Sequence, residues 1–364
     1  MSARTLFTQI LTSRRVRSFA RGWRAIGRTL NGGSKTLVFI YEANDPYSEL
    51  LMDVMPGFTR HYGLNLRVLE VGPPEKSAAP EPEMLARWAQ RDANSLRDAY
   101  GIDRQDTPLA VESDREANAE WRRKHGHYGS GMIWFEGEWY WGLDRLHYLE
   151  RRLGAREDEL LYPPIDEPDG PTGGSFDMFF SLRSPYSYIA MMRAPELAER
   201  WQAELVLKPI LPMVMRSLPV PREKQFYIVR DVKREAERFD IPFGKIEDPV
   251  GAGVERGLAI LNRAIPDGQA ITFTQSFYKG VWSEGLKASS DKDLRVIVER
   301  AGLDWAYAQD AMADEGWRET VEANRQEMFG LGLWGVPTFR VGQNSAFGQD
   351  RLWQVGRWLG EGAA

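Results

Sequence analysis

Apolar positions along the 364-residue chain fall into two series that repeat. Residues 37–48, LVFIYEANDPYS, open with an apolar run of strand length. They pass through a polar turn and reach Pro-Tyr-Ser at the head of a stretch with helical apolar spacing. Residues 176–187, FDMFFSLRSPYS, do the same at an offset of 139. That offset also pairs RDANSLRDAYGI (91–102) with RDVKREAERFDI (230–241). At the far ends WGLDRLHYLERRLG (141–154) pairs with FGQDRLWQVGRWLG (347–360), now at an offset of 206. Three blocks in one order predict a duplicated α/β unit with a β-α start and a β-β-α finish. The later copy carries 67 more residues between its second and third blocks. Their spacing is helical over Phe273–Trp282, Asp291–Ala301 and Trp305–Phe329. Residues 155–174, AREDELLYPPIDEPDGPTGG, combine Pro, Gly and acids and predict a connector. The chain therefore divides into an arm (1–34), a smaller copy (35–154), the connector (155–174) and a larger copy (175–364).

Charge adds a feature that the pattern alone misses. The net charge of −5 hides seven arginines and no acid within residues 1–34, which leaves about −12 on the rest. Among those arginines Phe7, Ile10, Leu11, Phe19, Trp23, Ile26 and Leu30 sit near helical spacing. A basic amphipathic helix of this kind touches anionic lipid or an acidic partner, or else packs on the protein's own acidic body. A transit peptide has the same Arg-rich, acid-poor character, whereas the apolar h-region of a secretory signal is missing. No apolar run approaches the ~20 residues of a membrane span, and a cytoplasmic location is expected.

Composition closes several routes. There is no cysteine, so thiol–disulfide exchange by this chain is chemically impossible. Four histidines (His61, His125, His127, His147) leave little scope for a metal centre. The H-x-H of His125 and His127, beside Gly126 and Gly129, is read as a polar loop, with a metal pair as the alternative. The 13 tryptophans point to aromatic-rich packing.

Three elements of the larger copy could carry chemistry. After the strand around Phe176–Phe180, Ser184 falls at a helix N-cap and Pro185 at the first helical position. Helix N-termini offer unpaired N–H groups and the positive end of the dipole, which favour a thiolate. A hydroxyl stands here, so a thiolate would have to come from a ligand; an ordinary helix cap is the competing reading. The segment Gly335-Val336-Pro337-Thr338-Phe339 holds a candidate cis-proline leading into a strand, or an ordinary trans proline at a strand start. Gln349 and Asp350 open the last helix, where an acid suits the dipole and could accept a ligand ammonium.

In order along the chain, SPYSYIA, the W-x-E-G of Trp282–Gly285, GLWGVPTF and FGQDRL resemble the 2-hydroxychromene-2-carboxylate isomerases and the related kappa-class glutathione transferases. These form a branch of the DsbA-like thioredoxin superfamily, and the likeness covers about 173–360. It implies two tandem thioredoxin-like domains, the second with the larger helical insertion. It further implies glutathione as cosubstrate, with the Ser184 hydroxyl on its sulfur. The Val336 backbone beside Pro337 would pair with it, Gln349 and Asp350 would hold the γ-glutamyl end, and Lys224, three residues before Tyr227, the glycyl end. The branch usually carries Asn in the loop after the second strand and again in a Pro-x-Asn; here those places read MVMRSLPVPREK and Pro249-Val250-Gly251. In the smaller copy Asp45 stands for Ser184, and Ser130-Gly131-Met132 stands where the proline would be.

Three functions are weighed on this basis. The first is a glutathione-dependent isomerase acting on an unsaturated aromatic small molecule. The second is a kappa-like transferase. The third is a non-catalytic thioredoxin-fold module that binds a partner or a membrane surface. Nucleic acid is not expected as a partner. A homodimer, or a pseudo-dimer within the chain, is expected from the kappa relatives.

Overall fold

The computed structural model describes residues 3–105, 109–218 and 220–362. By contact the chain forms two units. One comprises residues 17–166 and 220–227; the other comprises 1–16, 167–219 and 228–364.

Two helices lead the chain, α1 (Ala3–Leu11) and α2 (Arg14–Leu30), broken at Thr12–Ser13. The first unit then runs β1 (Thr36–Tyr41), α3 (Pro46–Tyr62), β2 (Asn65–Glu70), α4 (Pro82–Tyr100) and β3 (Val111–Glu112). It finishes with α5 (Arg115–Lys124), β4 (Met132–Phe135), β5 (Glu138–Trp141) and α6 (Leu146–Leu153). Its sheet has the order β3-β2-β1-β4-β5, with β1 parallel to β2 and antiparallel to β4. Leu37, Phe39 and Ile40 of the central strand are fully buried, as the near-continuous apolar run requires. Val38, Ile40, Leu69 and Met132 share a cluster with Trp139 and Tyr227.

The second unit repeats the plan. It contains β6 (Ser175–Phe180), α7 (Pro185–Trp201) and β7 (Glu204–Pro209). Then follow α8 (Arg222–Arg238), whose first turns belong to the first unit, and α9 (Ala252–Ala264), α10 (Ala270–Lys279) and α11 (Asp291–Arg300). The chain ends through α12 (Trp305–Met312), α13 (Trp317–Gly330), β8 (Thr338–Val341), β9 (Asn344–Phe347) and α14 (Leu352–Gly362). Its sheet order is β7-β6-β8-β9, again parallel then antiparallel about the central strand. The boundaries of β1, α3 and β2 shift by 139 onto those of β6, α7 and β7. The helices inserted between β7 and β8 share with α7 and α14 one large core that includes Tyr188, Phe273, Phe277, Tyr278 and Leu352.

One helix expected over Trp305–Phe329 is two. The chain breaks between Met312 and Trp317, where the Asp314 carboxylate accepts the Gly316 N–H at 2.8 Å and competes with the helical ladder. After Lys279, residues Gly280–Glu284 widen into a π turn that buries Trp282. The connector is ordered from both ends. Glu150 accepts the N–H groups of Leu161 (2.7 Å) and Tyr162 (3.2 Å) in the first unit. In the second, the Trp201 indole donates to the Pro168 carbonyl at 2.8 Å.

The arm helices present an unusual face. On α1 the Thr5 hydroxyl donates to Glu247 at 3.3 Å and Thr8 accepts the Ile246 N–H at 3.2 Å, while Leu6, Phe7 and Ile10 are exposed. On α2 Arg21 makes a paired contact with Glu138 at 2.6 and 2.7 Å, and Arg28 pairs with Glu136. The polar stripe of α2 therefore faces the β4–β5 turn, and its apolar stripe faces out.

Candidate functional site

A tight turn leaves β6 and delivers Ser184 to the head of α7. The Ser184 N–H donates to the Ser181 carbonyl at 2.8 Å. Ser184 has φ −88° and ψ 117°, the extended conformation of an N-cap, and its Oγ accepts the Ser187 N–H at 3.1 Å. Pro185 occupies the first helical position, where a missing N–H costs nothing. Behind the turn Tyr188, Ile189, Met191 and Ala194 are fully buried and lock the helix in the core. The half-buried Ser184 hydroxyl donates to the Val336 carbonyl across 3.4 Å. That is a long bond, so little is lost if the proton turns to another acceptor.

The Val336–Pro337 peptide bond is cis. The Pro337 carbonyl in turn accepts the Gly348 N–H at 2.9 Å. Ser184, Val336, Pro337 and the turn holding Asp350 thus form one hydrogen-bonded chain. Gly335 is required here, since a Cβ would lie 2.4 Å from the Phe347 ring. Asp350 lies in the short 3-10 turn Gln349–Arg351, half-buried, with its Oδ1 3.4 Å from the Arg351 guanidinium.

Two expected ligand residues are engaged elsewhere. Gln349 is buried, and its amide donates to Glu235 at 2.6 Å. Its side-chain oxygen accepts from Arg193 at 3.2 Å, and Arg193 itself pairs with Glu167 and stacks over Phe239 at 3.7 Å. The side chain is thereby held within the protein's own polar network. Lys224 belongs to the first unit, where its ammonium donates to the Ala78 carbonyl at 2.7 Å and lies over the Tyr128 ring. Burial lowers its pKa from 10.5 to about 8. In the same unit Tyr227 packs edge-on to His127 and Trp141.

The H-x-H pair does not converge. The His125 ring stacks on Trp121 at 3.7 Å, and the buried His127 accepts the Gly129 N–H at 3.0 Å. The loop is polar, but His127 is a core residue. Gly251, where the family's Asn would stand, has φ 78° and ψ −130° at the head of α9, a conformation for glycine alone.

Sequence reading missed a tyrosine–aspartate pair. The Tyr186 hydroxyl donates to the buried Asp231 at 2.8 Å, and Asp231 is paired with Arg234 at 2.9 Å. The first unit holds the same bond between Tyr47 and Asp92, also 2.8 Å. Both pairs lie in blocks related by the offset of 139, so the repeat itself carried the signal.

At the head of α3, Asp45 has φ −86° and ψ 117° and accepts from Ser48 N at 3.0 Å and Ser48 Oγ at 2.7 Å. Gly131 stands at the place of Pro337, and its carbonyl accepts the Gly142 N–H at 2.9 Å. Ser130 donates to Glu42 at 2.6 Å. Burial pushes the carboxyl groups of both Glu42 and Asp45 above their ordinary pKa.

Residues 176–359 match the family model described as the DSBA-like thioredoxin domain. The chain belongs to that family. Its C-terminal half therefore has the mixed α/β thioredoxin-like DsbA fold, and the smaller N-terminal half adds a second sheet. Over 187 residues the chain is 26% identical to 2-hydroxychromene-2-carboxylate isomerase of Sphingobium xenophagum, covering 49% of this chain and 94% of that protein. It is 23% identical over 216 residues to glutathione S-transferase kappa 1 of Rattus norvegicus, covering 53% and 93%. A solved 2-hydroxychromene-2-carboxylate isomerase structure aligns at 21% identity with a TM-score of 0.45, covering 51% of this chain and 95% of that one. This member of the DSBA-like family has no cysteine, and the head of its α7 carries the Ser184 hydroxyl.

Proposed function

We propose that the C-terminal DSBA-like domain is a glutathione-dependent isomerase of the 2-hydroxychromene-2-carboxylate isomerase kind, acting on an unsaturated aromatic small molecule. The observation that carries the reading is Ser184. It sits at the N-terminus of α7 and hydrogen-bonds the carbonyl of Val336 beside the cis Pro337. Glutathione would supply a thiolate nucleophile, which the chain itself lacks. The residues present suit its sulfur end. The Ser184 O–H can swing from its long bond to Val336 and donate to a sulfur anion, which lowers the pKa of the thiol. The N-terminus of α7 adds its dipole. Val336 offers backbone groups for strand-like pairing with a peptide. Asp350 is the acceptor for the γ-glutamyl ammonium. Gln349 and Lys224 are left out of this assignment, since their polar atoms serve Glu235, Arg193 and Ala78.

The test is calorimetry with glutathione on the wild type and on Ser184→Ala and Asp350→Ala. Binding is expected in the wild type and weaker in both variants. The Ser184→Ala protein should also show a higher pKa for the bound thiol, read from thiolate absorbance. Absence of heat at millimolar glutathione refutes the reading. A kappa-like transferase differs only in releasing the conjugate, which product analysis separates. The commitment of Gln349 and Lys224 to internal bonds favours a second reading, a binding module without catalysis, and that same null result would support it.

We further infer that the two sheets arose by tandem duplication. Supporting it, Glu42 N to Ser48 Oγ (3.2 Å) corresponds to Ser181 N to Ser187 Oγ (3.5 Å), and Val71 N to Tyr41 O corresponds to Ile210 N to Phe180 O, both 2.8 Å. In the first copy a carboxylate replaces the hydroxyl and would repel a thiolate, so that copy serves as scaffold or partner surface.

A further inference from the structure

We propose that α2 docks the protein on the surface of an anionic phospholipid bilayer, with the helix lying in the interface plane. Val16, Phe19, Trp23, Ile26 and Leu30 follow one another at steps of three and four and so line one stripe of the helix. Their exposure is that of a face built to be covered: 75% for Phe19, 70% for Trp23, 56% for Ile26 and 81% for Leu30. Isolated exposed apolar residues are ordinary, but an unbroken stripe with two aromatics marks an interaction site. The stripe faces outward because the opposite face is occupied. Arg21 and Arg28 hold Glu138 and Glu136, and the Arg24 side chain lies against Gly137. Together these contacts fix the helix rotation.

Charge selects the occupant. The helix carries six arginines and no acid, and the first acidic residue of the chain is Glu42. Three of the six are paired, Arg14 with Glu237 besides Arg21 and Arg28 with their acids, while Arg15 is exposed. An anionic lipid surface supplies the opposite charge, whereas a second copy of the same helix brings six more cations. The chain beyond residue 34, at about −12, is repelled by such a surface, so charge also favours the arm as the side that approaches it. Tryptophan and phenylalanine are suited to the headgroup boundary, and a basic helix with an aromatic apolar face partitions there.

The full chain is floated with vesicles of phosphatidylcholine, with and without phosphatidylglycerol. It should float with the anionic vesicles, with roughly tenfold preference over the neutral ones. The double variant Phe19→Ser, Trp23→Ser should lower partitioning by roughly a hundredfold. Its circular dichroism melt should match the wild type, since both side chains leave the core untouched. Brominated lipid should quench the wild-type emission more than that of Trp23→Phe, a variant that still binds. The proposal is overturned if the wild type stays in solution with anionic vesicles, or if the double variant floats as well as the wild type. A dimer that the double variant dissociates, without vesicle binding, overturns it in favour of a second copy.

Discussion

Lys224 offers the most direct test of how this chain uses its buried charges. A fall of its pKa from 10.5 to about 8, caused by burial, corresponds to about 3 kcal/mol of penalty on the charged form in the folded state. Replacing it by Met removes that penalty and leaves the Ala78 carbonyl without its donor, a loss of about 1 kcal/mol. Lys224→Met should therefore stabilise the protein by about 2 kcal/mol at pH 7. The sign depends on pH. Below about 8 both states carry the proton, and only the folded one suffers for it. Between about 8 and 10.5 the unfolded chain still binds the proton that the folded chain has released, so wild-type stability rises with pH. The advantage of Met should shrink to around zero by pH 10. Chemical denaturation of both proteins at pH 7 and pH 10 gives the four stabilities needed. A variant that is less stable at pH 7, or a difference that does not change between the two pH values, refutes the reasoning. The same variant should bind glutathione as the wild type does. A tenfold loss would return Lys224 to the ligand site.

Gly335→Ala should cost about 1–3 kcal/mol, because the new Cβ meets the Phe347 ring, and should loosen the turn that carries Asp350. Thermal unfolding together with glutathione calorimetry checks both effects. Tyr186→Phe removes a hydrogen bond from the buried Asp231 and should cost about 1–3 kcal/mol, with Tyr47→Phe costing a similar amount through Asp92. Measured together in a double variant, the two losses should add, since the two pairs lie on helices of different units.

The repeat carried most of what the sequence could tell. Offsets of 139 and 206 locate matching strands and helices because each copy folds from local signals: an apolar strand, a capped turn, a proline at the helix start. Ser184 and the Val336–Pro337 step were legible for the same reason, being chemistry written in contiguous residues. Gln349 was not, because its partners Arg193 and Glu235 are 156 and 114 residues away, and no local pattern announces a buried network. The bond of Lys224 to Ala78 was not legible either, because periodicity predicts a helix over its segment without saying which core receives the first turns. Tyr227, sunk among His127 and Trp141, decides that. The spacing of the arm predicts an amphipathic helix, but which face points outward depends on Glu136 and Glu138, two acids in a hairpin more than a hundred residues on.

The caps of α3 and α7 have the same backbone angles within a few degrees, one built on Asp45 and the other on Ser184. Asp and Ser are nearly equal as helix caps. The cap itself thus accepts either residue, while their surroundings differ: burial weighs against the charged form of Asp45, and Ser184 has a proton that it donates to Val336. Such a position can change its chemistry without losing its helix cap, so a domain of this type can lose or regain a reactive head group in one step. At Asp45 and Ser184 capping makes no choice; the surroundings of each head group make it.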